Sequence, residues 1–158
     1  MSTAIKAGLL VGILVELWTF IVIAAGWHKD PVMMMLFFVV IPIETTVIIM
    51  ALKRTAADAP YGKQLLNGIV LSSVAGCIVF VGSYVLTTTV FPHYFDELRV
   101  AHADLLAKAG KSVEEIATEV KRTESMYDPI QNSMNGFIGT EVTGIIVSAI
   151  AAIFLRKK

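Results

Sequence analysis

Four apolar runs, each long enough to cross a bilayer, occupy most of this 158-residue chain. They extend from about Ile5 to Ala25, Val32 to Leu52, Leu65 to Phe91 and Gly136 to Leu155. A helix of roughly 20 residues covers the hydrocarbon of a bilayer at 1.5 Å per residue. Lipid offers backbone N–H and C=O groups no partners, so such runs satisfy them internally as helices. The expected fold is all-α: a polytopic membrane protein with four transmembrane helices forming one domain over residues 1–158. Composition agrees, with 56% hydrophobic residues against about 45–50% in soluble domains.

Charged residues make up 16% of the chain and cluster between the runs, and the formal net charge is zero. No global field points to nucleic acid. The basic tail Arg156-Lys157-Lys158 reads as a topology signal. Lys6, the first apolar run and Ala24-Ala25-Gly26 imitate a signal peptide. That run is too long for a signal core and carries Glu16, so a retained anchor is expected. The lone cysteine, Cys77, excludes an intrachain disulfide and reads as small-residue packing. Trp27, Tyr61, Phe91 and Tyr94 mark span ends, as interfacial aromatics do.

Lys53, Arg54 and Lys63 flank the connection between spans two and three, while Gly26–Pro31 carries only Lys29 with His28 and Asp30. The positive-inside rule then places both termini in the cytoplasm. The segment from about Pro92 to Asn135 lies outside, with eight acidic residues against five basic ones. It reads as an amphipathic helical hairpin. Pro92 suits the first turn of a helix, and Tyr94, Phe95, Leu98, His102, Leu105 and Leu106 recur at helical spacing. Gly110 suits a left-handed cap, and Ser112 with Glu115 forms a capping box for a second helix. That helix carries a stripe of Val113, Ile116, Ala117 and Val120, and Asp128-Pro129 breaks it.

Three glutamates, Glu16, Glu44 and Glu141, stand within separate spans with no Lys or Arg beside them. A charge at the centre of a spanning helix costs roughly 2.5–3.5 kcal/mol on insertion scales. They are expected to be protonated, hydrogen-bonded, ion-bound or turned into the bundle, with Glu16 and Glu141 pointing inward. Gly8, Gly12, Glu16 and Thr19 share a face of span one, and Glu141, Gly144, Ser148 and Ala152 share one of span four. Gly68, Ser72, Gly76 and Ser83 form a similar stripe on span three, and such stripes let helix backbones approach closely. Glu16 and Glu44 fall near mid-span and Glu141 nearer the outer end. Pro42 is expected to kink span two just before Glu44, which shares its face with Phe37, Ile41 and Ile48.

The glutamates admit two readings. They form a proton or cation relay or a site for a cationic ligand, or they bond to neighbouring helices through Thr19, Ser72, Ser73 or Ser148 as helix glue. His28, His93 and His102 all lie outside the spans, and His28 and His93 read as solvated interfacial residues. No metal site, cofactor or nucleophile–base pair is expected, so the chain reads as a non-enzyme. The run Thr87-Thr88-Thr89 reads as side chains bonded to backbone near a helix end. Met33-Met34-Met35 reads as lipid-facing or adaptable packing.

Tyr61-Gly62-Lys63-Gln64-Leu65-Leu66-Asn67-Gly68-Ile69 leads into a span, and Phe91-Pro92-His93-Tyr94-Phe95-Asp96-Glu97 follows it. A hairpin with Ala109-Gly110-Lys111-Ser112-Val113-Glu114-Glu115-Ile116 and a span ending Arg156-Lys157-Lys158 complete the order. This resembles the small bacterial four-span proteins of domain-of-unknown-function family 4199. The resemblance implies architecture and a bacterial inner-membrane setting, and carries no activity. The leading functional expectation is a structural or accessory protein whose partners are the bilayer and other membrane proteins or further copies of itself. The alternative is a small proton-coupled transporter or ion pathway using Glu16, Glu44 and Glu141.

Overall fold

The computed structural model of the chain describes residues 2–55 and 59–155. The tail Arg156–Lys158 lies outside the described residues. Helix α1, Thr3–Ala24, opens where the Ser2 hydroxyl accepts from the Ile5 N–H at 3.3 Å. Such a cap satisfies one of the donors a helix start leaves spare. Gly26, at φ 73°, turns the chain into a short 3-10 helix, Trp27–Lys29. Asp30 then accepts from the N–H groups of Val32 and Met33, at 2.8 and 3.1 Å, and launches the second span.

The second span runs Met33–Thr55, winding as a 3-10 helix over Met33–Val39 and as α2 over Val40–Thr55. Pro42 is the third residue of α2. Its missing N–H falls in the first α-helical turn, where it does no harm. The expected proline disruption thus coincides with a change of helix type. The third span is α3, Tyr61–Val85, continued by one π-helical turn over Leu86–Val90. The Thr87 and Thr88 hydroxyls donate to the carbonyls of Ser83 and Tyr84, at 2.8 and 2.6 Å, as the threonine run suggests.

The hairpin consists of α4, Tyr94–Lys108, and α5, Val113–Arg122. Pro92 stands in the turn ahead of α4 rather than in its first turn. Gly110 adopts φ 80°, and the Ser112–Glu115 capping box forms in both directions. The last helix, α6, is Pro129–Leu155. It starts at the Asp128-Pro129 break, well before Gly136, with the Asp128 carboxylate accepting from the Gln131 N–H at 2.8 Å. Hydropathy marked where the apolar run begins; the helix itself continues through the polar stretch Gln131–Asn135.

Helix direction follows from residue pairs at the contacts. Gly8 meets Val74, Gly12 meets Ile78 and Gly82 meets Glu16, a constant offset that makes α1 and α3 parallel. Gly68 meets Ser148, Ser72 meets Gly144 and Gly76 meets Phe137, the descending register of an antiparallel pair. The four spanning helices pack as a ring in the order α1, α3, α6, α2, with the α3–α6 contact the most extensive. Val11, Val15, Ile48, Leu52, Leu71 and Ala75 fill the interior. Leu10, Ile13, Leu17, Leu66, Val81 and Ile150 stay exposed on the outer surface, where lipid covers them. Cys77 is also exposed there, correcting its reading as a packing residue.

Candidate polar site within the bundle

Small residues bring the helices to the distances at which the glutamates find partners. On α3, a methyl group at Gly68 would collide with the Ser148 side chain of α6. One turn on, the Ser72 side chain occupies the space that Gly144 leaves open, and the Phe137 ring lies against Gly76. On the other flank, Gly8 takes in Val74 and the backbone of Leu71, while Gly12 takes in Ile78. All seven small residues named from the sequence, Gly8, Gly12, Gly68, Ser72, Gly76, Gly144 and Ser148, are buried. The stripe on α6 extends further than the sequence suggested, because Ser133 and Thr140 are buried on the same face. Their spacing of seven residues carried that signal, outside the apolar run.

Each glutamate is sheltered by neighbouring helices. Ser83 Oγ donates to Glu16 Oε1 at 2.9 Å, and the Glu16 carboxyl packs on Gly82. Ser73 Oγ donates to Glu141 Oε1 at 3.1 Å. Glu44 is the most enclosed, at 2% exposure, correcting any grouping with Phe37 and Ile41, which are exposed. It turns inward with Ile48, and its Oε1 comes within 3.5 Å of where a methyl at Gly144 would stand. Glu44 and Glu141 stand at neighbouring levels, Glu44 against Gly144 of α6 and Glu141 against Ser73 of α3. One oxygen of each of the three, Glu16 Oε2, Glu44 Oε1 and Glu141 Oε2, is buried without a hydrogen-bond partner among the described residues.

The three carboxyls do not share one level. Ser73 and Ser83 stand ten residues apart on α3, about 15 Å along the axis. Glu141 and Glu44 therefore flank the Ser72-Ser73 level, whereas Glu16 lies nearer the hairpin end. The earlier start of α6 puts Glu141 near the middle of its helix, correcting its placement toward the outer end. Glu16 borders an open apolar groove of about 400 Å³ between α1 and α3, lined by Ile13, Leu17, Ile78 and Leu86. Of the partners suggested for the glutamates, only Ser73 bonds to one. Thr19 bonds its own helix at Val15, and Ser72 bonds the carbonyls of Gly68 and Ile69. Gln64, fully buried and accepting from the Thr55 hydroxyl at 2.9 Å, carried no recognised signal.

A second polar cluster ties the hairpin to the bundle. His28 Nε2 lies 2.8 Å from Glu97 Oε2, and Lys29 Nζ donates to Glu97 Oε1 at 2.8 Å. His28 is 4% exposed, with the Tyr94 ring 5.1 Å from its own, so it is not the solvated residue expected. His93 is exposed, near Asp96 at 3.9 Å, and does not meet His28 in the hydrogen-bonded cluster. The bonds from Lys29 and His28 hold the Glu97 carboxyl below its ordinary range. Burial pushes the Tyr94 phenol up to about 12. Further along α4, His102 Nδ1 lies 2.6 Å from the Tyr127 hydroxyl, and Arg99 stacks over the Tyr127 ring at 5.2 Å. Among the described residues, no group of three or more His, Cys, Asp or Glu side chains is placed to hold a metal ion.

A family model described as protein of unknown function (DUF4199) matches residues 6–157, nearly the whole of this four-span chain. The chain belongs to that family. No curated protein and no solved structure matches it. Membership in the DUF4199 family agrees with the four-span architecture.

Proposed function

We propose that the protein is a non-enzymatic structural or accessory component of a bacterial inner membrane, with both termini cytoplasmic and the α4–α5 hairpin outside. The observation that carries this reading is the position of Glu16 and Glu141 at helix contacts, each accepting from a serine of α3 beside a close small-residue approach. Polar contacts of roughly 1 kcal/mol are ordinary helix glue in membranes. Lys53, Arg54 and Lys63 lie at the end opposite the hairpin, which supports the orientation. Reconstituted into vesicles under an imposed pH gradient, the purified protein should pass neither protons nor alkali cations. Flux that depends on a membrane glutamate would remove this reading.

The rival reading, a proton-coupled transporter or ion pathway, draws support from Glu44. Its buried Oε1 has no partner among the described residues, and it faces Gly144, one turn along α6 from Glu141. Glu44→Gln would then abolish any flux while leaving thermal unfolding unchanged. Equal flux in parent and variant counts against it.

A further inference from the structure

The apolar stripe of α5 borders an open trough of about 420 Å³, lined by Val113, Ile116, Val120, Lys121 and Arg99 of α4. Val113 is 83% exposed and Ala117 is exposed beside it. We infer that a second copy of this chain fills the trough, its α5 packing antiparallel against the first across a two-fold axis along the membrane normal.

Two observations select that occupant. The first is charge. At 100° per residue, Glu114 and Lys121 stand about 20° apart on one flank of the stripe, seven residues from each other. In an antiparallel pair the same flanks face, so Glu114 of each copy meets Lys121 of the other, and both pairs form together. Both side chains are exposed, and neither makes an ion pair among the described residues. Opposite charges flanking an apolar seam set partner and orientation in helix pairing.

The second observation is the lie of the hairpin. Ser73 and Glu141 are level. From there α6 rises twelve residues to Pro129, about 18 Å, while the third span rises seventeen residues to Val90, about 25 Å. Tyr127, just before Pro129, is therefore no further from the bilayer centre than the end of the third span. His102 reaches Tyr127 at 2.6 Å, and Glu97 reaches His28 at the end of α1. Helix α4 thus crosses the end of the bundle rather than projecting from it. The tight turn at Gly110 folds α5 back along α4, so α5 lies across the normal too. Two copies inserted in the same sense are related by an axis along the normal, which makes helices lying across it antiparallel.

A helix of about 15 Å buries less than the roughly 1,200–2,000 Å² of a stable soluble complex. Confinement to one bilayer supplies effective concentration, so the pair is to be read in membranes rather than dilute detergent. In a Cys77→Ser background, Ala117→Cys should form a disulfide-linked dimer under mild oxidation. Thr118→Cys, about 100° round the helix from Ala117 and turned away from the stripe, should give at least tenfold less. Glu114→Lys or Lys121→Glu added to Ala117→Cys should cut the dimer severalfold, and the two reversals together should restore it. On the unmodified chain, a zero-length carbodiimide condenses a carboxylate with an amine, losing water. It should join Glu114 to Lys121 at twice the chain mass. Equal cross-linking at 117 and 118, no recovery in the double reversal, or a cross-linked band of foreign mass overturns the proposal. So does labelling of α5 by a lipid-borne photoprobe, which would assign the stripe to the membrane surface.

Discussion

Gly68 of α3 and Ser148 of α6 approach so closely that a methyl group on the glycine would fall where the serine hydroxyl stands. Ser148 is itself fully buried, so it has no solvent side to move into. Overfilling a close-packed contact costs typically 1–3 kcal/mol. Gly68→Val should therefore lower the thermal midpoint in detergent by several degrees. Gly62, at the start of the same helix with nothing within 4 Å of the added methyl, is the control. Gly62→Ala should be neutral or gain up to about 1 kcal/mol, as alanine for glycine does in an unstrained helix. Equal responses at the two glycines would mean that the α3–α6 contact is looser than the structure gives.

Ser83→Ala removes the donor that Glu16 accepts from at 2.9 Å. Interhelical hydrogen bonds in membranes average about 0.6 kcal/mol, so the loss should be small but measurable by unfolding. Glu16→Gln keeps an oxygen able to accept from the same hydroxyl and should cost less than Glu16→Leu. If leucine proves the better substitute, the carboxyl contributes nothing to the α1–α3 contact.

The small-residue stripes were readable from sequence because four-residue spacing marks one helix face, whatever packs on it. Which serine each glutamate meets was not readable, since it depends on helix direction. Glu16 finds Ser83 because α1 and α3 run parallel, and Glu141 finds Ser73 because α6 runs against α3. The depth of Glu141 is not legible in hydropathy because the polar residues Gln131–Asn135 hide the start of α6. Burial of His28 depends on α4 closing over it from 69 residues away, a contact that no local pattern announces.

Acid should loosen that closure. Lys29 and His28 hold the Glu97 carboxyl below its ordinary value of 4.5, so it ionises more readily folded than unfolded. A lowered carboxyl contributes its stabilisation fully above the unfolded value and loses it as pH falls through the folded one. The tie between α4 and the Trp27–Lys29 turn should thus persist at neutral pH and weaken below about pH 4.5. Trp27, which lies 6.3 Å from the Trp18 ring, reports the change through fluorescence. Glu97→Gln should remove this step. An unaltered titration in that variant would trace the change to another carboxyl.

Ser112 opens α5 by accepting from the Glu115 N–H at 3.3 Å, and Glu115 answers by accepting from the Ser112 N–H at 2.8 Å. Replacing such a cap by alanine costs typically about 1 kcal/mol. Helix α5 has only 10 residues and no buried side chain, so little tertiary packing compensates. Ser112→Ala should therefore raise hydrogen exchange across Val113–Arg122 by about fivefold, while exchange in α3 and α6 stays unchanged. Ser112→Asp restores an acceptor and favours the helix start electrostatically, so it should return exchange to the parent level. A uniform rise across all helices would instead show that the hairpin and the bundle unfold as one unit.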